Sequence, residues 1–214
     1  MALLIPIWFY GFDSAMYAIA TLIGFFVTLQ ASRLYNVSNK KSHFYLYLGF
    51  IVLSMGFLTL TITSSYFYIL FRASCATECH FAILDPHVGI DDVGYWLYYL
   101  SSLVAYALFI KMYLPEKTQF FQFIVLPFWY SGFLSFNLVS IFLLSFVVFR
   151  TVTNYMTNKN KAAFLVMLSF ILLTLYHLLL FIALLSEFFY VAAHLSLLFS
   201  FITFLYMLTR AKIR

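Results

Sequence analysis

Apolar residues come in runs of about 20, the length a helix needs to cross a bilayer, and short polar gaps separate the runs. The first run extends from about Ser14 to Ser32, the second from Phe44 to Phe71, and the third from Val93 to Tyr113. Two more close the chain, Ala162 to Ser186 and Phe188 to Thr209. Between these groups lies Gln119 to Phe149. As one helix it would be about 46 Å long at 1.5 Å per residue, too long for a single crossing without steep tilt. A break at Tyr130-Ser131-Gly132 divides it into a short fourth helix, 119–131, tilted or kinked near Pro127, and a fifth from Phe133 to Phe149. A re-entrant segment is the alternative for the fourth, and it needs protein cover for its free backbone groups. The pattern predicts an all-α polytopic membrane protein of seven transmembrane helices in a single domain, 1–214.

The gaps are sorted by charge. Arg33, Lys40 and Lys41 follow the first run, Arg150, Lys159 and Lys161 the fifth, and Arg210, Lys212 and Arg214 the last. Glu78, Asp85, Asp91 and Asp92 follow the second run, and Glu187 the sixth. Basic residues collect on the cytoplasmic side of a bilayer, so the N-terminus is expected outside and the C-terminus inside. Arg72 and Glu116 are the exceptions. Trp8, Trp96 and Trp129 fall at the expected outer boundary, with Tyr190 among others, and Tyr35, Tyr155 and Tyr206 at the inner one, as amphipathic rings prefer.

Composition agrees with this reading. The chain is 65% hydrophobic and 22% aromatic, with a mean hydropathy of +1.00, which leaves too little polar surface for a soluble domain. The net charge of +5 resides in the basic gaps and reads as an orientation signal. Nucleic acid is not an expected partner; the bilayer and other membrane proteins, or a second copy, are. The opening MALLIPIWFY lacks a basic region and a small-residue cleavage pattern, so it is expected to be mature sequence in a multi-pass protein of the cell membrane.

The two ends of the chain also match each other. At a shift of 120, Tyr35 meets Tyr155, Lys41 meets Lys161, Phe44 meets Phe164, and Phe50, Ile51 and Leu53 meet Phe170, Ile171 and Leu173. At a shift of 95, Ser101 meets Ser196, Phe109 meets Phe204 and Met112 meets Met207. This suggests repeats over 14–113 and 133–209 joined by the short helix 119–131. The layout is similar to that of the SWEET sugar transporters, which are parallel repeats about an axis along the membrane normal. It lacks their Pro-Gln signature, and the first and fifth helices contain no proline. Seven-helix sensors offer a comparable threading.

Few residues invite chemistry. Cys75, Cys79, His80 and His87 share the long outer loop with Asp85, Asp91 and Asp92. Thiolate and imidazole could bind copper or zinc there, and a local disulfide or two free thiols are the alternatives. His177 and His194 lie within spans, about 15 and 10 Å deep counted from Glu187 at 1.5 Å per residue. They could ligate haem or a metal, or simply hydrogen-bond across a helix interface. The hydroxyl stripe Thr59, Thr61, Thr63, Ser64, Ser65 could line a pathway, but such groups usually bond carbonyls of their own or a neighbouring helix. Asp13-Ser14 and Asp91-Asp92 fit helix caps, and Asn36 to Lys41 a solvated turn.

Three functions fit these features. The first is a non-enzymatic membrane module, a sensor or accessory subunit acting through partners in the bilayer. The second is a small facilitator for a neutral solute, and the third an outward-facing metal or haem protein.

Overall fold

The computed structural model describes residues 7–77, 88–114 and 133–210. They form six α-helices: α1 (Ile7–Ser38), α2 (Lys41–Thr77), α3 (Val88–Lys111), α4 (Phe133–Asn158), α5 (Lys161–Ile182) and α6 (Glu187–Arg210), with a 3-10 turn at Ala183–Leu185. All six contain a stretch long and apolar enough to cross a membrane, and no strand occurs among the described residues. The expected fourth helix, 119–131, lies outside the described residues.

The apolar runs locate the helices but not their ends. Gaps read as loops, Arg33 to His43 and Arg150 to Lys161, are mostly helix, and the turns shrink to Asn39-Lys40 and Lys159-Asn160. Hydropathy marks where a helix leaves the apolar slab, whereas Arg, Lys, Leu and Met remain acceptable helix residues beyond it. Two caps are corrected for the same reason. Asp13 lies inside α1 and is 3% exposed, and Asp92 is an exposed residue inside α3, which starts at Val88.

Ring contacts set the directions of the helices. Phe50 meets Phe109 and Phe57 meets Tyr98, so α2 and α3 are antiparallel. Tyr106 meets His177 and Phe109 meets Phe170, so α3 and α5 are antiparallel too. The tight turn at Lys159-Asn160 makes α4 antiparallel to α5. Hence α3 and α4 are parallel neighbours, and Tyr99 stacks on Phe136 at their shared starting end, with ring centroids 4.1 Å apart. On the opposite flank α1 and α6 are also parallel, with Asp13 beside Tyr190. Apart from Arg72, every described Lys and Arg lies towards one end of the bundle, and Asp13, Asp92 and Glu187 lie towards the other.

The two helical hairpins agree in detail. α1 and α4 end at Ser38 and Asn158, and α2 and α5 begin at Lys41 and Lys161. Asn39 and Lys159 between them both take a left-handed conformation, with φ of 51° and 48°. Their amides donate to the carbonyls of Tyr35 and Tyr155, each at 2.8 Å. The Tyr35–Phe44 rings lie 5.3 Å apart and the Tyr155–Phe164 rings 5.6 Å apart. Each pair of positions is separated by the same 120 residues.

At the centre, four phenylalanines from four helices form one layer. Phe50 packs on Phe109 at 5.1 Å and on Phe204 at 4.7 Å, and Phe170 packs on Phe204 at 4.9 Å and on Phe109 at 5.4 Å. All four are fully buried. The outward faces are apolar as well, with Phe26, Ile62, Phe142 and Phe199 more than half exposed, as a lipid-facing surface requires.

Candidate functional site

Between the phenylalanine layer and the acidic end, the bundle interior becomes polar. Six helices supply the groups: Asp13 and Tyr17 from α1, Ser64 from α2, Tyr98 and Tyr106 from α3, Asn137 from α4, Tyr176 and His177 from α5, and Tyr190 and His194 from α6. All but the half-buried Tyr190 are buried.

Asn137 fixes the state of His177. Its amide nitrogen donates to the Phe133 carbonyl at 2.9 Å, so its oxygen is the atom left for the imidazole. His177 Nδ1 therefore carries the hydrogen and donates to Asn137 Oδ1 at 2.9 Å. Nε2 is then an acceptor, and the Tyr106 hydroxyl donates to it at 2.6 Å. About two turns of α3 nearer the acidic end, the Tyr98 and Tyr176 hydroxyls share a bond of 3.2 Å. Both nitrogens of His177 are thus occupied by protein partners.

His194 adopts the same tautomer. Its Nδ1 donates to the Tyr190 carbonyl at 3.0 Å, one turn back on α6. The Tyr190 hydroxyl donates to Asp13 Oδ2 at 2.7 Å, and His194 Nε2 lies 3.9 Å from Asp13 Oδ1. Aromatic rings surround this imidazole: Tyr190 at 4.7 Å, Tyr17 at 5.3 Å, Phe12 at 5.7 Å and Tyr176 at 6.2 Å between centroids.

These bonds share a direction. Asp13 to Tyr190, Tyr98 to Tyr176 and Tyr106 to His177 all join one of the first three helices to one of the last three. The polar groups therefore form a seam between α1–α3 and α4–α6. The matching extends into it: the Phe57–Phe201 contact at 5.8 Å stands at the positions that His177 and Tyr106 hold on the other side, where the rings are 5.4 Å apart.

The histidines expected from the sequence are both here, each against the Tyr176 ring and each committed to hydrogen bonding through Nδ1. Cys75 falls in the last turn of the α2 backbone; Cys79, His80 and His87 lie outside the described residues. Among the described residues no group of three or more His, Cys, Asp or Glu comes together to hold a metal ion. The hydroxyl stripe of α2 mostly bonds its own helix: Thr59 to the Gly56 carbonyl at 2.7 Å, Thr61 to Phe57 at 2.8 Å and Thr63 to Thr59 at 3.1 Å. Ser196 and Ser200 of α6 bond the Leu172 and Ser169 carbonyls of α5, both at 2.8 Å. Sequence reasoning missed Asp13, Tyr17, Tyr98, Tyr106 and Tyr176 as members of a site. The available signal was a tyrosine in mid-span, whose hydroxyl must find a partner when buried.

No family model matches this chain, and no curated protein or solved structure matches it either.

Proposed function

We propose that the chain is a non-enzymatic, sensor-like membrane module built from two similar three-helix halves, 14–113 and 133–209, that shift against each other at the polar seam. It works in a cell membrane with its N-terminus outside and passes the shift to a membrane partner or a second copy through its lipid-facing helices. One observation carries the reading: three side-chain hydrogen bonds, Asp13 to Tyr190, Tyr98 to Tyr176 and Tyr106 to His177, cross the boundary between halves, where relative movement makes or breaks them. Buried ionisable groups inside a membrane bundle are expensive and mark functional positions. The aromatic packing around them supports a latch more than an open passage.

The test is a distance between the halves. Spin labels at Val93 on α3 and Phe188 on α6, both exposed near the acidic end, in a chain with Cys75 and Cys79 replaced by serine, should give two populations whose ratio changes with outside pH or ligand. A single distance distribution under all conditions would sink the reading.

A facilitator for a small neutral solute is the second reading. It is favoured by the matching geometry of the two hairpins, with Tyr35, Lys41 and Phe44 at the positions of Tyr155, Lys161 and Phe164, because parallel repeats in transporters place the substrate site at their interface. Solute flux into liposomes holding the purified chain would promote it over the sensor.

A further inference from the structure

We infer that Asp13 and His194 form a proton-binding site that joins the two halves. The argument starts from the tautomer. A carbonyl can only accept, so the bond from His194 Nδ1 to the Tyr190 carbonyl puts a hydrogen on Nδ1. A neutral imidazole then presents a bare lone pair at Nε2. In His177, the same tautomer is completed by the Tyr106 hydroxyl. In His194, Nε2 has no hydrogen-bond partner among the described residues and faces a carboxyl oxygen at 3.9 Å. Two acceptors facing each other in a buried site repel. One proton resolves the conflict, whether it sits on the carboxyl and is donated to Nε2 or sits on Nε2 and is donated to the carboxyl. The other carboxyl oxygen is already engaged by the Tyr190 hydroxyl.

The surroundings suit a bound cation. Tyr17, Tyr176, Tyr190 and Phe12 ring the imidazole, and aromatic faces attract a positive charge. The titratable neighbours are Tyr17 on α1, Tyr95 on α3, Tyr176 on α5 and Tyr190 on α6; α2 contributes the Phe57 ring against Tyr17, and Arg72 of α2 is the one described Lys or Arg towards this end. Asp13 stands on α1, one of the first three helices, and His194 on α6, one of the last three. Binding of a proton from the acidic side closes the pair, and its release leaves a carboxylate opposed to a lone pair and drives α1 from α6. That consequence, with the proton as the signal, rests on the sensor reading; the proton site itself rests on the pair's geometry.

The experiment is NMR of the full chain in lipid nanodiscs, with 15N-histidine and 13C-aspartate, assigned with His194→Gln and Asp13→Asn. At neutral pH the pair should show one shared proton: a charged imidazolium at His194 or a protonated carboxyl at Asp13. A neutral imidazole beside an ionised Asp13 overturns the inference. Asp13→Asn supplies a second check, because its amide can donate to Nε2 while its oxygen still accepts from Tyr190. His194 in this variant should stay neutral, and its resonances should lose the pH response of the wild-type chain. A response equal to wild type overturns the site. If the proton is found but the Val93–Phe188 distance ignores pH, the site stands and the sensor reading falls.

Discussion

His177 and His194 have the same tautomer but differ in what completes it, and that difference makes their neighbours unequal. Tyr106→Phe would leave His177 Nε2 as a buried acceptor with no donor, which costs about 1–3 kcal/mol. Thermal unfolding in detergent should show the loss. Tyr98→Phe should cost less, because the 3.2 Å bond it removes is longer and joins two groups that are each both donor and acceptor. An unchanged midpoint for Tyr106→Phe would mean that another group reaches His177. Both histidines were visible in the sequence as candidates because an imidazole inside a span is rare. Their partners were not, since seventeen tyrosines give no hint of which hydroxyls turn inward. Asp13 was hidden by its position: an acid just before an apolar run looks like a cap until the helix is seen to start earlier.

Helices were legible as apolar runs, but how closely they approach each other depends on single positions that hydropathy ignores. A Cβ added at Gly49 would lie 2.3 Å from the Phe109 ring. Phe109 is held between Phe50 and Phe170 and has no room to yield. Gly49→Ala should therefore overpack the α2–α3 contact and cost about 1–3 kcal/mol, read from the same unfolding measurement. At Gly24 the added Cβ would meet the Ser54 hydroxyl, also at 2.3 Å. That group sits at the end of a rotatable side chain and can turn away by giving up its bond to the Phe50 carbonyl. Gly24→Ala should cost less, and Ser54→Ala should remove most of what it does cost. Equal losses at the two glycines would show that the phenylalanine layer adapts as readily as a hydroxyl.

Chain order predicts antiparallel neighbours at every short turn, so the hairpins α1–α2, α4–α5 and α5–α6 could be expected. The parallel contacts α1–α6 and α3–α4 could not, because they join helices distant in sequence or separated by a long connection. Leu114 follows α3 at the basic end, whereas Phe133 opens α4 at the acidic end, where Phe136 stacks on Tyr99. The prediction is that the chain crosses the membrane between Leu114 and Phe133. Reporter fusions test this without disturbing the bundle's interior. A fluorescent protein fused after Leu114 should glow in the cytoplasm. A phosphatase that works only outside the cytoplasm should be inactive after Leu114 and active after Gly132. The Asn36-Val37-Ser38 sequon, on the basic side, should stay unmodified in a eukaryotic membrane. If both fusion points report the same side, the chain does not cross between them. The parallel pairing of α3 with α4 would then be impossible in a membrane, and the seam between halves would have to be rebuilt with the last three helices inverted.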